Sequence, residues 1–103
     1  MPAKKSDVQD SVVVTPAQLR AARGLLNWSV SELCEQTGLA MNTVRKAEHP
    51  QNYTTVYKPN ALLLRATLEG AGVLFIDAGK MGAGVRLAEP IEPSGLRRSD
   101  PRT

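Results

Sequence analysis

One cysteine and one histidine are all the thiol and imidazole ligands in this chain of 103 residues. Cys34 has no second cysteine to pair with, which excludes an intramolecular disulfide and a cysteine-cluster metal site. His49 by itself cannot build a closed zinc site, and no cofactor is expected. Aromatic residues are scarce, with one Trp, two Tyr and one Phe, so any core must be mostly aliphatic. No apolar run approaches the ~20 residues that span a bilayer, and the start, Met1 to Asp7, has no apolar stretch behind its two lysines. The expected setting is a reducing cytoplasm, without membrane contact. The acidic residues are spread over helix surfaces, whereas acid–base catalysis needs ionisable groups that converge. No enzyme is expected.

What is present suits one small domain. Hydrophobic residues make up 42% of the chain, and 13 Lys and Arg against 10 Asp and Glu leave a net charge of +3. That mild basic bias fits a polyanionic partner without requiring one. Residues 1–11 and 88–103 are polar and rich in Pro, Ser, Asp and Arg, and read as disordered tails. Between them the pattern predicts a domain over 12–72 and a β-hairpin over 73–87. The expected class is mainly α: four helices containing a helix-turn-helix, then a short C-terminal hairpin.

Val12, Val13 and Val14 form a β-branched run that reads as a short strand. Thr15-Pro16-Ala17-Gln18 is a helix start, because Thr can cap the free amides, Pro is tolerated in the first turn and Gln completes a capping box. Leu19, Ala22 and Leu26 then share one face. A second capping box, Ser29-Val30-Ser31-Glu32, opens a second helix with Val30, Leu33, Cys34 and Thr37 inward. Gly38 stops it, since glycine accepts the left-handed conformation of a helix end. A third helix is predicted from Met41 to Glu48 with Val44 and Ala47 inward, ended by Pro50. Residues 49–58 read as a polar loop, Pro59 opens a fourth helix carrying Ala61, Leu64 and Leu68, and Gly70-Ala71-Gly72 ends it. Val73–Ile76 and Val85–Leu87 read as two strands joined by a glycine-rich connection.

The informative stretch runs from Val30 to Ala47. Two short helices joined by a turn containing Gly38 must bury Leu33, Cys34, Leu39, Val44 and Ala47 against each other and against the first helix to hold one crossing geometry. This spacing resembles the helix-turn-helix of the XRE-like family, the phage repressor and Cro type, over roughly residues 15–72. The resemblance extends to Leu25-Leu26-Asn27-Trp28-Ser29, to Glu48 and to Leu-Glu-Gly-Ala-Gly-Val-Leu-Phe-Ile-Asp at 68–77. It departs at Val30, where the family usually has Gln, and at Ala40, where a small polar cap is usual.

The resemblance implies a transcriptional regulator, more often a repressor, whose third helix enters the major groove of double-stranded DNA. By position it implicates Met41, Asn42, Arg45 and Lys46 at base edges: Asn can pair with adenine, Lys or Arg can reach guanine, and Met can pack on a thymine methyl. Ser29, Thr43, Tyr53, Thr54 and Lys58 are candidates for phosphate. Tyr53 and Tyr57 could equally cover the core, and Trp28 and Cys34 read as core. One recognition helix spans few base pairs, so a homodimer on an inverted-repeat operator is expected, with Val73, Phe75 and Val85 of the hairpin at the interface. The rival reading is a protein-interaction module, an antitoxin or antiactivator on the same fold, whose partner is a protein.

Overall fold

The computed structural model describes residues 14–52 and 56–90. The expectations for the 1–11 tail, for Val12 and Val13, for Tyr53 and Thr54, and for the tail beyond residue 90 lie outside the described residues. Four helices are followed by two strands: α1 (Pro16–Leu26), α2 (Val30–Thr37), α3 (Met41–Ala47), α4 (Lys58–Gly70), β1 (Val73–Ile76) and β2 (Gly84–Leu87), with one 3-10 turn at Pro50–Asn52.

Local chemistry accounts for the helix ends. At α1 the Thr15 hydroxyl accepts from the Gln18 backbone N–H at 3.0 Å, and Gln18 Oε1 accepts from the Thr15 N–H at 2.9 Å. At α2 Ser29 and Glu32 do the same, at 3.0 and 2.9 Å. Each box satisfies two amides that the first turn leaves without helical partners. Asn27 closes α1 in the left-handed region, at φ 59°, and Gly38 closes α2 at φ 81°.

One aliphatic core joins these elements. Leu19, Ala22 and Leu26 from α1, Leu33 from α2, Val44 and Ala47 from α3, and Ala61, Leu64 and Leu68 from α4 are buried together with Val14, Val73 and Phe75. Each fully buried Leu or Val stabilises the fold by about 1.5–3 kcal/mol relative to an exposed one. The strands pair antiparallel in the register Val73↔Leu87, Leu74↔Arg86, Phe75↔Val85 and Ile76↔Gly84. One face of this ribbon lies on α1 and α4.

Several boundaries differ from the sequence expectation: α3 ends at Ala47 and not at Glu48, and β2 begins at Gly84 and not at Val85. Val14 is buried but joins no strand; the one sheet among the described residues is β1–β2. Its β-branched side chain serves as a core plug under α1, and pairing plays no part. The polar loop after α3 opens with the 3-10 turn, and α4 begins at Lys58 rather than Pro59, with Tyr57 at the cap position. The tail expected from Ala88 begins later, since the Ala88 N–H still donates to the Gly72 carbonyl at 2.8 Å and extends the ribbon. Among the described residues no helix is long and apolar enough to cross a membrane.

Candidate nucleic-acid interface

The turn between α2 and α3 is held by its own backbone and one hydroxyl. Gly38 N–H donates to the Cys34 carbonyl at 2.7 Å, and at φ 81° glycine then leads the chain out of the helix without strain. Thr37 Oγ1 donates to the Leu33 carbonyl at 2.8 Å and accepts from the Leu39 N–H at 3.2 Å. Leu39 then packs half-buried against the core. Ala40 caps α3 without a side-chain hydrogen bond, while its carbonyl accepts from Thr43 and Val44.

Because Val44 and Ala47 are buried, the helical repeat turns the opposite face of α3 to solvent. Asn42, Arg45 and Lys46 are exposed there, with Met41 and Thr43 half-buried at its two margins. Arg45 therefore lies within the exposed arc, between Met41 and Asn42 on the helical projection.

The C-terminal end of α3 is fastened to α1. Glu48, only 6% exposed, receives both ends of the Arg23 guanidinium, Nε to Oε2 and Nη2 to Oε1, each at 2.8 Å. Arg23 Nη1 also donates to the Trp28 carbonyl at 3.1 Å, and Arg20 Nη1 to the Glu48 carbonyl at 2.6 Å. The hydrogen bonds to Glu48 raise the pKa of Arg23, against the opposing effect of burial and with the added attraction of the carboxylate charge. A bidentate fork fixes direction as well as distance, so the orientation of α3 relative to α1 is set at this point.

The other expected site residues distribute unevenly. Ser29 is exposed at the start of α2, but its hydroxyl and amide are both engaged with Glu32. The Glu32 carboxylate places negative charge where a phosphate was expected, which opposes an anion there. Val30 is half-buried against the core. Lys58 is exposed on the first turn of α4, and Tyr57 beside it is 68% exposed, so it does not cover the core. Trp28 and Cys34 are partly buried against the core, as expected of them.

The hairpin residues require a correction. Val73 and Phe75 are 2% and 8% exposed within a single chain, and Val85 packs beside them. The partner surface of Val73 and Phe75 is supplied by α1 and α4 of their own chain, which leaves these two almost no surface for a second copy, whereas Val85 is half-buried. The strand alternation instead leaves Leu74 and Ile76 outward.

Two polar arrangements had no counterpart in the sequence reading. Gln18, beyond its capping role, donates Nε2 to the carbonyls of Gly84 and Ile76 at 3.0 and 3.3 Å, across the last pair of the ribbon. Arg65 lies 5.1 Å from the centre of the Phe75 ring and bridges Glu69 and Asp77, each at 3.1 Å. Burial works to lower the Arg65 pKa, but the hydrogen bonds and charges of those carboxylates outweigh it and raise the pKa. The only sequence signal for either was a polar residue adjoining the buried positions of an amphipathic helix.

Among the described residues no group of His, Cys, Asp or Glu could hold a metal ion. The arrangement that stands out is a short, anchored helix presenting an amide and two cations. Comparison with family models finds no match for this chain, and comparisons with curated proteins and with solved structures find none either.

Proposed function

We propose that the protein is a sequence-specific DNA-binding transcriptional regulator that reads an operator with α3. The observation that carries this reading is the α3 surface: Asn42, Arg45 and Lys46 exposed on one face, on a helix whose end is clamped to α1 through Arg23 and Glu48. An amide flanked by two cations provides donors and an acceptor for base edges together with charge for phosphates. The clamp supports readout, because base pairing by a side chain demands a fixed helix. Thr43 lies at the margin of the same face, where a phosphate contact is natural. The reading makes the protein a binding module, not an enzyme, and a repressor by simple occlusion is its simplest output. Two copies on an inverted repeat provide the length of site that one α3 cannot.

A protein-interaction module is the second reading, and Val30 favours it. A half-buried valine at the start of α2 offers nothing to a phosphate, and Glu32 repels one. A gel shift with the chain's own upstream DNA, against scrambled DNA of equal length, separates the two. Selective retardation is the expected result; equal or absent retardation of both probes overturns the regulator reading.

A further inference from the structure

Arg20 and Arg23 both reach Glu48 from α1, but they use their donors differently. Arg23 engages Nε, Nη1 and Nη2, on the Glu48 carboxylate and the Trp28 carbonyl. Arg20 gives a single N–H, from Nη1 to the Glu48 carbonyl at 2.6 Å. A guanidinium carries five N–H donors, and the remaining ones of Arg20 meet no acceptor among the described residues. No carboxylate there pairs with it either, since the Glu48 side chain is taken by Arg23. Arg20 is exposed, so its charge and its unused edge face solvent. An arginine fork of this kind matches two oxygens of a phosphate. Resting on the reading of α3 as the DNA-reading helix, we propose that Arg20 binds a backbone phosphate at the rim of the groove α3 enters, and through the Glu48 carbonyl fixes how deeply α3 sits.

The placement follows from lengths. A helix that reads bases with its N-terminal residues carries its last turn toward the mouth of the groove. The seven residues of α3 rise about 10 Å, close to the ~8.5 Å depth of the major groove. The Glu48 carbonyl, one residue past α3, then stands level with the phosphates along the groove edge, and Arg20 is bonded to it.

The charges agree with this. Two guanidinium groups meet at one acidic residue, which leaves a positive charge over at the end of α3. At Ser29, where a phosphate contact was expected, Glu32 occupies the hydroxyl and the amide. Arg20 supplies the anion contact that the start of α2 does not. Such a contact reads no sequence but sets register and orientation on the duplex.

Anisotropy titrations of the full chain on its own upstream DNA and on a scrambled duplex, each at several salt concentrations, test the assignment. Arg20→Gln removes the charge and keeps a side-chain N–H donor. It should weaken binding to both duplexes about fivefold to tenfold at about 0.1 M salt, flatten the log–log salt dependence by about 0.9, and leave the ratio between the duplexes unchanged. Arg20→Lys should keep the slope. Arg86→Gln removes the same charge from the exposed side of the ribbon and should also leave the slope unchanged. Ala17→Glu, at an exposed position one turn before Arg20, leaves the bond to Glu48 in place while offering the fork a carboxylate of its own chain. It should lower the slope as Arg20→Gln does, and acid in the first turn favours the helix, so this variant keeps the test open if Arg20→Gln loses its helical circular dichroism. A wild-type slope in Arg20→Gln or Ala17→Glu overturns the proposal, even where affinity falls, because Arg20 then only supports α3. Equal flattening by Arg86→Gln overturns it too, since net charge alone is then at work. In each of these cases the DNA reading stands if the wild-type chain still prefers its upstream DNA. A wild-type chain that binds neither duplex overturns that reading and this one together.

Discussion

The carboxylate of Glu48, one residue past the end of α3, is gripped at both oxygens by Arg23 of α1, at 2.8 Å each. Glu48 is nearly enclosed and Arg23 about four-fifths so. Truncating one partner of such a pair leaves the other desolvated without its counter-charge. Glu48→Ala is expected to cost about 1–3 kcal/mol in urea unfolding. Arg23→Met with Glu48→Leu should cost less than Glu48→Ala alone, since an apolar pair leaves no stranded charge. If the double variant is the less stable of the two, the bridge is acting through more than its charges.

Gln18 offers a second test, because one side chain closes the cap of α1 and ties it to both strands. Gln18→Ala removes all three contacts and bares the Ile76 and Gly84 carbonyls. The expected loss is about 1–3 kcal/mol, with hydrogen exchange in the ribbon accelerated more than in α2 or α3. Uniform acceleration throughout the domain would show that Gln18 only stabilises the fold globally.

Two glycines should respond in opposite directions. Gly24 lies inside α1, and a methyl group added there meets nothing within 4 Å; Gly24→Ala should stabilise by about 0.5–1 kcal/mol through reduced freedom of the unfolded chain and better helix propensity. Gly38 has equal room but a φ of +81°, so Gly38→Ala should destabilise by about 1 kcal/mol. Thermal melts of the two variants check this directly, and a shift of the same sign in both is the result that contradicts it.

Readout by α3 separates into a selective part and an electrostatic part. Asn42→Ala should weaken cognate binding by about 1–3 kcal/mol and leave scrambled DNA almost unaffected. Lys46→Ala should weaken both and flatten the log–log salt dependence by about 0.9 if it neutralises one phosphate. Titrations at several salt concentrations measure both effects. Should Asn42→Ala remain folded and keep full discrimination, readout does not reside at that position.

Val44→Asp is the structural control for those variants. Val44 is fully buried, so a carboxylate there has no water and no partner, and the domain should unfold. Loss of the helical circular dichroism signal at room temperature is expected. A folded Val44→Asp protein would falsify the placement of this face of α3 in the core.

Much of the architecture was legible because its causes are local. Thr15 with Gln18, Ser29 with Glu32 and Gly38 each act within three or four residues along the chain, so capping and stop chemistry marks α1 and α2 without knowledge of any distant contact. Helical periodicity likewise identified Leu19, Ala22, Leu26, Leu33, Val44, Ala61, Leu64 and Leu68 as inward, whereas Asn42, Arg45 and Lys46 were implicated by the resemblance to the repressor type. Packing alone decided the rest. The Arg23–Glu48 bridge joins residues 25 apart, and Gln18 reaches Gly84 across 66; no local pattern encodes which polar groups meet once helices dock. The same docking placed Val73 and Phe75 on α1 and α4 while leaving Leu62 and Leu63 of α4 exposed. A period of hydrophobic residues tells which side of an element is buried, whereas the surface that buries it is chosen by how the whole chain closes around its core.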